Sequence, residues 1–271
     1  MDLEKIKQIE LDILKVTVKI LDKHNLRYYI SYGTCIGAIR HNGFIPWDDD
    51  IDISLFREDY ELARDILNKE LPKEYIYCDR FTEKEYPYNF AKVRLKKSAF
   101  VHGGDAHLNI SHGIYIDLFP LDYCEKTFEA TENKIKTLKR LRQKLDLSRM
   151  SYKKYGKLRP MWQLPLIFYG HVFVNSMKIQ NQIDKICKSG DSTSKYICSF
   201  LTPYGTKDIY DKEWFGAGKE VAFEDCKFIV PENYDAYLRH IYGDYMQLPP
   251  IEKRVSHHDI IFSSTDTEYH P

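Results

Sequence analysis

Apolar positions recur along the chain with two distinct periods. Ile6, Ile9, Ile13, Val16 and Ile20 are spaced by three and four residues, which predicts an amphipathic helix over 3–24, broken at Asn25. Residues 27–32 (RYYISY) predict a strand, and Gly33-Thr34 opens a short helical segment over 35–40. Residues 41–47 form a loop around Pro46. Ile51, Ile53 and Leu55 then alternate with Asp50, Asp52 and Ser54, the pattern of a strand with one polar face. A helix over 58–70 and strands over 90–95 and 114–119 follow.

The middle of the chain changes character. Residues 125–190 read as mostly helical, and Lys134–Arg159 holds eleven Lys or Arg against one acid, Asp146. Met161–Met177 is apolar and aromatic, interrupted by Gln163, Pro165, Gly170 and His171. One reading is a helical subdomain with a solvated basic face. The other is a surface that approaches anionic lipid or a lipid-linked polyphosphate.

Composition narrows the class. Forty basic and forty acidic side chains in 271 residues give no net charge, which argues against a general nucleic-acid binder. The 43% hydrophobic content excludes a disordered chain. The charged N-terminal stretch lacks a secretory core, and no apolar run is long enough to span a bilayer, so the expected location is cytoplasmic. Six scattered cysteines (35, 78, 124, 187, 198 and 226) read as free, mostly buried thiols. A zinc site would require His102, His107, His112, His257 and His258 to converge in space.

The chemistry concentrates at Trp47-Asp-Asp-Asp-Ile-Asp-Ile53, with four carboxylates in five positions. In a strand Asp50 and Asp52 share one side, about 7 Å apart along the backbone. Carboxylates that close repel unless a cation sits between them, and Mg²⁺ prefers oxygen ligands of this kind. Asp117, in another alternating strand, is the best third carboxylate for a phosphoryl-transfer centre; Asp122 is the runner-up. Gly33-Thr34 stands where a strand passes into a helix, a place suited to cradling phosphate. Lys92 and Arg94 share one strand face and could balance a diphosphate, unless they are solvated charges on an edge strand. Residues 242–250 (YGDYMQLPP) form a turn-rich block able to fold back over a pocket.

Together, residues 31–40 (SYGTCIGAIR), 43–53 (GFIPWDDDIDI), 112–122 (HGIYIDLFPLD) and 242–250 resemble the blocks of the LicD family of phosphotransferases. The resemblance implies an α+β protein with a nucleotidyltransferase-like mixed sheet flanked by helices. It would divide into a catalytic core over 1–124, a mostly helical insertion over 125–235, and a C-terminal segment, 236–271, that returns to the active site. It implies transfer of a phosphorylated alcohol from a CDP-alcohol, CDP-choline being favoured, to a sugar hydroxyl of a glycan such as teichoic acid or lipopolysaccharide, or of its lipid-linked precursor. CMP is released; ribitol or glycerol phosphate is the alternative cargo. Asp50, Asp52 and Asp117 are the implied catalytic and Mg²⁺-binding residues, with Mn²⁺ as a substitute. Substrate contacts are expected at Gly33, Thr34, Arg40, Trp47, Asp49, Lys92, Arg94, Tyr242 and Asp244. Trp47, Tyr115 and Tyr242 are aromatic candidates for holding a quaternary ammonium. No nucleic-acid partner is expected; peripheral contact with the inner membrane face rests only on the basic and apolar central segments, for which the solvated subdomain is the other reading. Two rival readings use the same residues: nucleotidyl transfer from an NTP, which would release pyrophosphate, and a non-catalytic binding module.

Overall fold

The first helical period becomes α1 (Leu3–Lys23), whose buried stripe includes Ile6, Ile13, Leu14, Ile20 and Leu21. The computed structural model describes residues 3–154, 157–255 and 259–271, so His257 and His258 lie outside the described residues. After α1 come β1 (Tyr29–Ile30), α2 (Tyr32–His41), β2 (Asp52–Phe56), α3 (Arg57–Glu70), β3 (Tyr75–Cys78), β4 (Ala91–Leu95), β5 (Ala99–His102) and β6 (Tyr115–Tyr123). The second half holds α4 (Phe128–Arg149), β7 (Lys153–Lys154), β8 (Lys157–Leu158), α5 (Leu164–Phe173), α6 (Ser176–Cys187), β9 (Tyr196–Cys198), β10 (Ile209–Asp211), β11 (Lys219–Phe223), β12 (Cys226–Val230), α7 (Tyr234–Tyr242) and β13 (Ile260–Ser264).

The result is a mixed α+β architecture. The central sheet runs β1-β2-β6-β4-β3, and β9 and β10 extend it from the far end of β6. Only the β2–β6 pair is parallel; β1, β4, β3, β9 and β10 join antiparallel. Ile51, Ile53 and Leu55 are fully buried, as their alternation predicts. α1 and α3 pack on this sheet, while α2 rests against α7 and β11.

Three elements depart from the sequence reading. The strand expected over 27–32 is only two residues long, because Ser31 already leads into α2. β6 runs through Pro120 to Tyr123 instead of ending at Phe119. The proline fits because Asp117 N–H bonds to Ile51 on the β2 side, so the alternate position 120 points to the other edge, where β4 has already ended at its Ala91–Leu118 pairing. Third, the helical character expected over 125–235 stops at Cys187. Residues 196–230 hold four strands, and Tyr210, Phe215, Phe223, Phe228 and Val230 join the core of the central sheet.

A second apolar cluster lies between α4, α6 and the β9–β10 hairpin, built from Leu138, Leu141, Leu145, Ile183 and Ile209 among others. The cysteines are free thiols, five of them buried and Cys226 half-buried.

Candidate active site

The junction of β1, α2 and β2 is held by backbone and hydroxyl bonds. Ser31 N–H donates to the Asp52 carbonyl, and Asp52 N–H donates to Thr34 Oγ1 at 2.9 Å. The Ser31 and Ser54 hydroxyls meet at 2.8 Å. Thr34 is thus a strut that fixes Asp52 and does not itself line the cleft. Tyr32 takes a left-handed backbone (φ 49°), and its N–H donates to the Tyr237 hydroxyl. The amides of Gly33 and Thr34 precede the first i to i−4 bond of α2, made by Cys35 N–H to Ser31, and so have no acceptor within the helix.

A cleft of about 470 Å³ opens at this helix start. The Asp48–Asp50 loop, Asp52, Asp117 and Gly33 form its polar wall; Trp47, Tyr32, Phe119, Tyr204 and Tyr242 contribute aromatic faces. Asp52 and Asp117 are direct partners in the parallel β2–β6 register. Lys92 is the partner of Asp117 on the other side, with Nζ 2.5 Å from Oδ1. Asp50 stands just before β2 and not within it, yet it reaches the same cleft.

Among the described residues, Asp48, Asp49 and Asp50 are the one group of three His, Cys, Asp or Glu whose donor atoms all approach within 4.8 Å of one another. Their loop is stapled from below by Lys7 of α1, whose Nζ donates to the carbonyls of Ile45 and Pro46. Asp48 leans over Gly33: a Cβ at that glycine would lie 2.6 Å from Asp48 Oδ2.

The electrostatics are those of crowded carboxylates. Burial, followed by the charges of Asp50, Asp117 and Asp48, pushes the Asp52 carboxyl well up, with Lys92 opposing. Glu10 of α1 is fully buried, neither of its carboxylate oxygens has a hydrogen-bond partner, and burial plus the neighbouring aspartates raise its pKa strongly. Both effects favour the protonated form of Glu10 over the carboxylate. Burial lowers the Lys92 ammonium, and Asp117 acts against that shift.

The other expected site residues are placed as follows. Lys92 and Arg94 are buried on an interior strand, not solvated on an edge. Lys92 Nζ sits 3.4 Å from the Tyr115 ring centroid, so Tyr115 covers the lysine and does not line the cleft. Arg94 donates to the Gly113 carbonyl, away from the cleft wall. Arg40 donates to the Tyr245 carbonyl and so tethers the turn-rich block to α2. Tyr242 reaches the wall; Asp244 is exposed outside it. Asp122 is the fork partner of Arg57 at 2.7 and 2.6 Å, which fixes the start of α3 and takes it out of the acidic row. His102, His107 and His112 bond separately to the Tyr115 hydroxyl and to the Arg149 and Leu108 carbonyls.

Sequence reasoning missed Asp48, Glu10, Tyr32, Phe119 and Tyr204. Asp48 carried a signal, since it belongs to the same acidic run. Tyr204 carried none: it lies in the loop after β9 and enters by stacking on Tyr32, centroids 5.7 Å apart and planes 10° from parallel.

Residues 25–147 match the family model described as LicD/FKTN/FKRP, nucleotidyltransferase domain. The chain is 29% identical over 254 residues to the lipopolysaccharide cholinephosphotransferase LicD of Haemophilus influenzae, covering 92% of each protein. It is 27% identical over 88 residues to human ribitol 5-phosphate transferase FKRP, 32% of this chain and 18% of that one. Human ribitol-5-phosphate transferase FKTN shares 34% over 50 residues, 18% of this chain and 11% of that one.

Proposed function

Since the chain belongs to the LicD family of phosphotransferases, we propose that it moves a phosphorylated alcohol from a CDP-alcohol to a sugar hydroxyl of a cell-surface glycan or its lipid-linked precursor, releasing CMP. It is an enzyme that transfers substituted phosphate groups. Phosphocholine from CDP-choline is the favoured cargo: the cholinephosphotransferase relative matches nearly the whole chain, and the cleft offers Trp47, Tyr204 and Tyr242 as faces for a quaternary ammonium. Ribitol phosphate is the second reading, supported by the partial likeness to the ribitol phosphate transferases. The fold is read as nucleotidyltransferase-like, with 1–124 as the catalytic core and Tyr242 returning from the C-terminal segment. With a nucleotide donor, the reaction is placed in the cytoplasm.

The donor set suits Mg²⁺. The carboxylates of the Asp48–Asp50 loop, Asp52 and Asp117 are all hard oxygen ligands, crowded enough to repel one another. Asp50, Asp52 and Asp117 would hold the ion, which when bound supplies charge neutralisation for the diphosphate and the departing CMP. The chain's own groups do the rest. The first-turn amides of α2 receive phosphate oxygens beside Gly33, where Asp48 must move aside to admit them. Lys92 holds Asp117 in place through their ion pair. Asp117 orients the acceptor hydroxyl and takes its proton at a carboxylate oxygen. The hydroxyl oxygen bonds to the phosphorus that carries the alcohol while the bond to CMP breaks. Catalysis is positioning and electrostatics with no covalent enzyme intermediate.

The observation that carries this reading is the in-register pairing of Asp52 and Asp117 beside the start of α2. Thermal stabilisation with Mg²⁺ against CDP-choline, CDP-ribitol, CDP-glycerol and CTP tests it without an acceptor. A ligand at about 100 times its dissociation constant adds roughly 2.7 kcal/mol, a shift of several degrees. Metal-dependent stabilisation by CDP-choline, lost in Asp50→Asn, is expected. A response to CTP alone, with pyrophosphate as product, would favour nucleotidyl transfer instead.

A further inference from the structure

The region around α5 has a surface that the cleft does not use. α5 buries Ile167 and Gly170 against α4, and Gly170 lies so close that a Cβ there would meet the Leu147 carbonyl at 2.3 Å. The rest of the helix is apolar and turned outward: Leu166, Phe168, Tyr169, Val172 and Phe173 are all about half or more exposed, and Trp162 just before it is 70% exposed. A helix apolar on every side is ordinarily buried. Among the described residues, no helix is long and apolar enough to cross a membrane, and ten residues of α5 reach only about 15 Å.

Along the chain, the charge of this stretch is one-sided. From residue 147 to residue 183 the sequence has six Lys or Arg and no Asp or Glu. Arg140 and Lys144, both exposed, precede Ser148 at intervals of four, on the stripe of α4 that ends beneath α5. Next to α5 lies the β7–β8 hairpin, lysine-rich in sequence (Lys153, Lys154 and Lys157) and joined to the helix by the edge contact of Tyr152 with His171.

From this combination we propose that α5 is an in-plane membrane anchor: it lies in the interfacial layer of a bilayer rich in anionic lipid, its aromatic side chains between the head groups and the basic residues on lipid phosphates. Aromatic residues at the rim, apolar side chains facing outward and flanking cations without acids are what such an interface selects. An interface with a second copy of the chain would not need thirty-seven residues free of acidic side chains, whereas an anionic surface rewards it. The inference does not rest on the transfer reaction, and its test reads no turnover.

The experiment is co-sedimentation of the full chain with vesicles of phosphatidylcholine alone or mixed with phosphatidylglycerol. The wild-type protein should partition onto anionic vesicles at least about tenfold better, with the preference falling in high salt. Trp162→Ser with Phe173→Ser, both exposed positions, should lose about as much while the far-UV spectrum and Tm stay unchanged. In the wild type, tryptophan fluorescence should be quenched by brominated phosphatidylcholine in the anionic vesicles, a readout that needs no variant. The proposal is overturned by equal binding to both vesicle types, by undiminished binding of the double variant, or by absent quenching. Concentration-dependent dimers that the double variant abolishes, without vesicle binding, would also overturn it and assign the face to a second copy.

Discussion

Asp52 on β2 and Asp117 on β6 are register partners across the one parallel pair of the sheet, and Lys92 on β4 continues the same row, 2.5 Å from Asp117. The row places two carboxylates and one ammonium side by side where strand geometry allows no escape. Asp117 is shared, paired with Lys92 on one side and facing Asp52 on the other.

Asp52 is the carboxylate of this row without a cation of its own in the register, and its pKa is raised by burial and by Asp50, Asp117 and Asp48. Asp52→Asn removes that repulsion. The metal-free protein should therefore melt a few degrees higher, while Mg²⁺ no longer raises Tm and turnover falls by at least roughly 100-fold. Calorimetry with and without Mg²⁺, beside a CMP-release assay, checks both signs. A variant less stable than wild type and still active would remove Asp52 from the centre.

Lys92→Met leaves Asp117 buried without its partner. Breaking a buried ion pair from one side costs about 3–5 kcal/mol, whereas removing both charges costs much less. Lys92→Met with Asp117→Asn should therefore be more stable than Lys92→Met alone. Urea unfolding of the single and double variants gives the coupling energy, and additive losses would deny the pair a structural role.

The acidic strand was legible because alternation and chemistry coincide: Ile51, Ile53 and Leu55 fix which way Asp52 points, and Asp117 follows the same rule in β6. Asp122 breaks the rule: five residues after Asp117 in the same strand it has the opposite parity, so it faces away from the acidic row, where Arg57 at the start of α3 holds it in an ion pair. Lys92 was legible as a cation of one strand face but its burial was not, since one strand's sequence does not say whether β3 covers its other edge. Tyr204 and Glu10 were invisible. One arrives on an irregular loop after β9, and the other is one of three polar residues, with Lys7 and Thr17, that α1 buries among its apolar positions. The strands over 196–230 were missed because each is only three to five residues long, too short for a period to register.

Gly33 tests the phosphate cradle apart from the carboxylates. A methyl group there would sit 2.6 Å from Asp48 Oδ2, the mobile end of a side chain, so Asp48 must swing away. Gly33→Ala should cost less than about 1 kcal/mol in stability yet weaken CDP-choline binding about tenfold or more. Thermal-shift titration of donor against wild type measures both, and unchanged donor affinity would place the diphosphate elsewhere.

Asp122 serves as the control for the acidic row. Asp122→Asn weakens the two bonds to Arg57 and should destabilise the fold by about 1.5–3 kcal/mol. Once folded, it should keep the Mg²⁺-dependent Tm rise and turnover close to wild type, measured below its melting range. Loss of the metal response would return Asp122 to the candidate ligands.

The last prediction concerns pH and the aromatic wall. Asp208 is buried and accepts bonds from the Tyr32 and Tyr210 hydroxyls; burial pushes its carboxyl up to about 7 despite those bonds. A carboxyl whose folded pKa lies above its unfolded value of about 3.9 binds its proton more tightly in the native state. Its contribution is complete below about pH 4 and is lost as pH rises through about 7, with a slope of at most about 1.4 kcal/mol per pH unit between those limits. Asp208→Asn cannot ionise, so its stability relative to wild type should improve steadily from pH 5 to pH 7 and level off above that. Because Tyr32 stacks on Tyr204 in the cleft wall, donor binding by wild type should also weaken above pH 7, and the variant should flatten that dependence. Parallel urea titrations at pH 5, 6, 7 and 8 provide the comparison. A stability difference that does not change with pH would mean that Asp208 is ionised throughout and holds Tyr32 as a carboxylate.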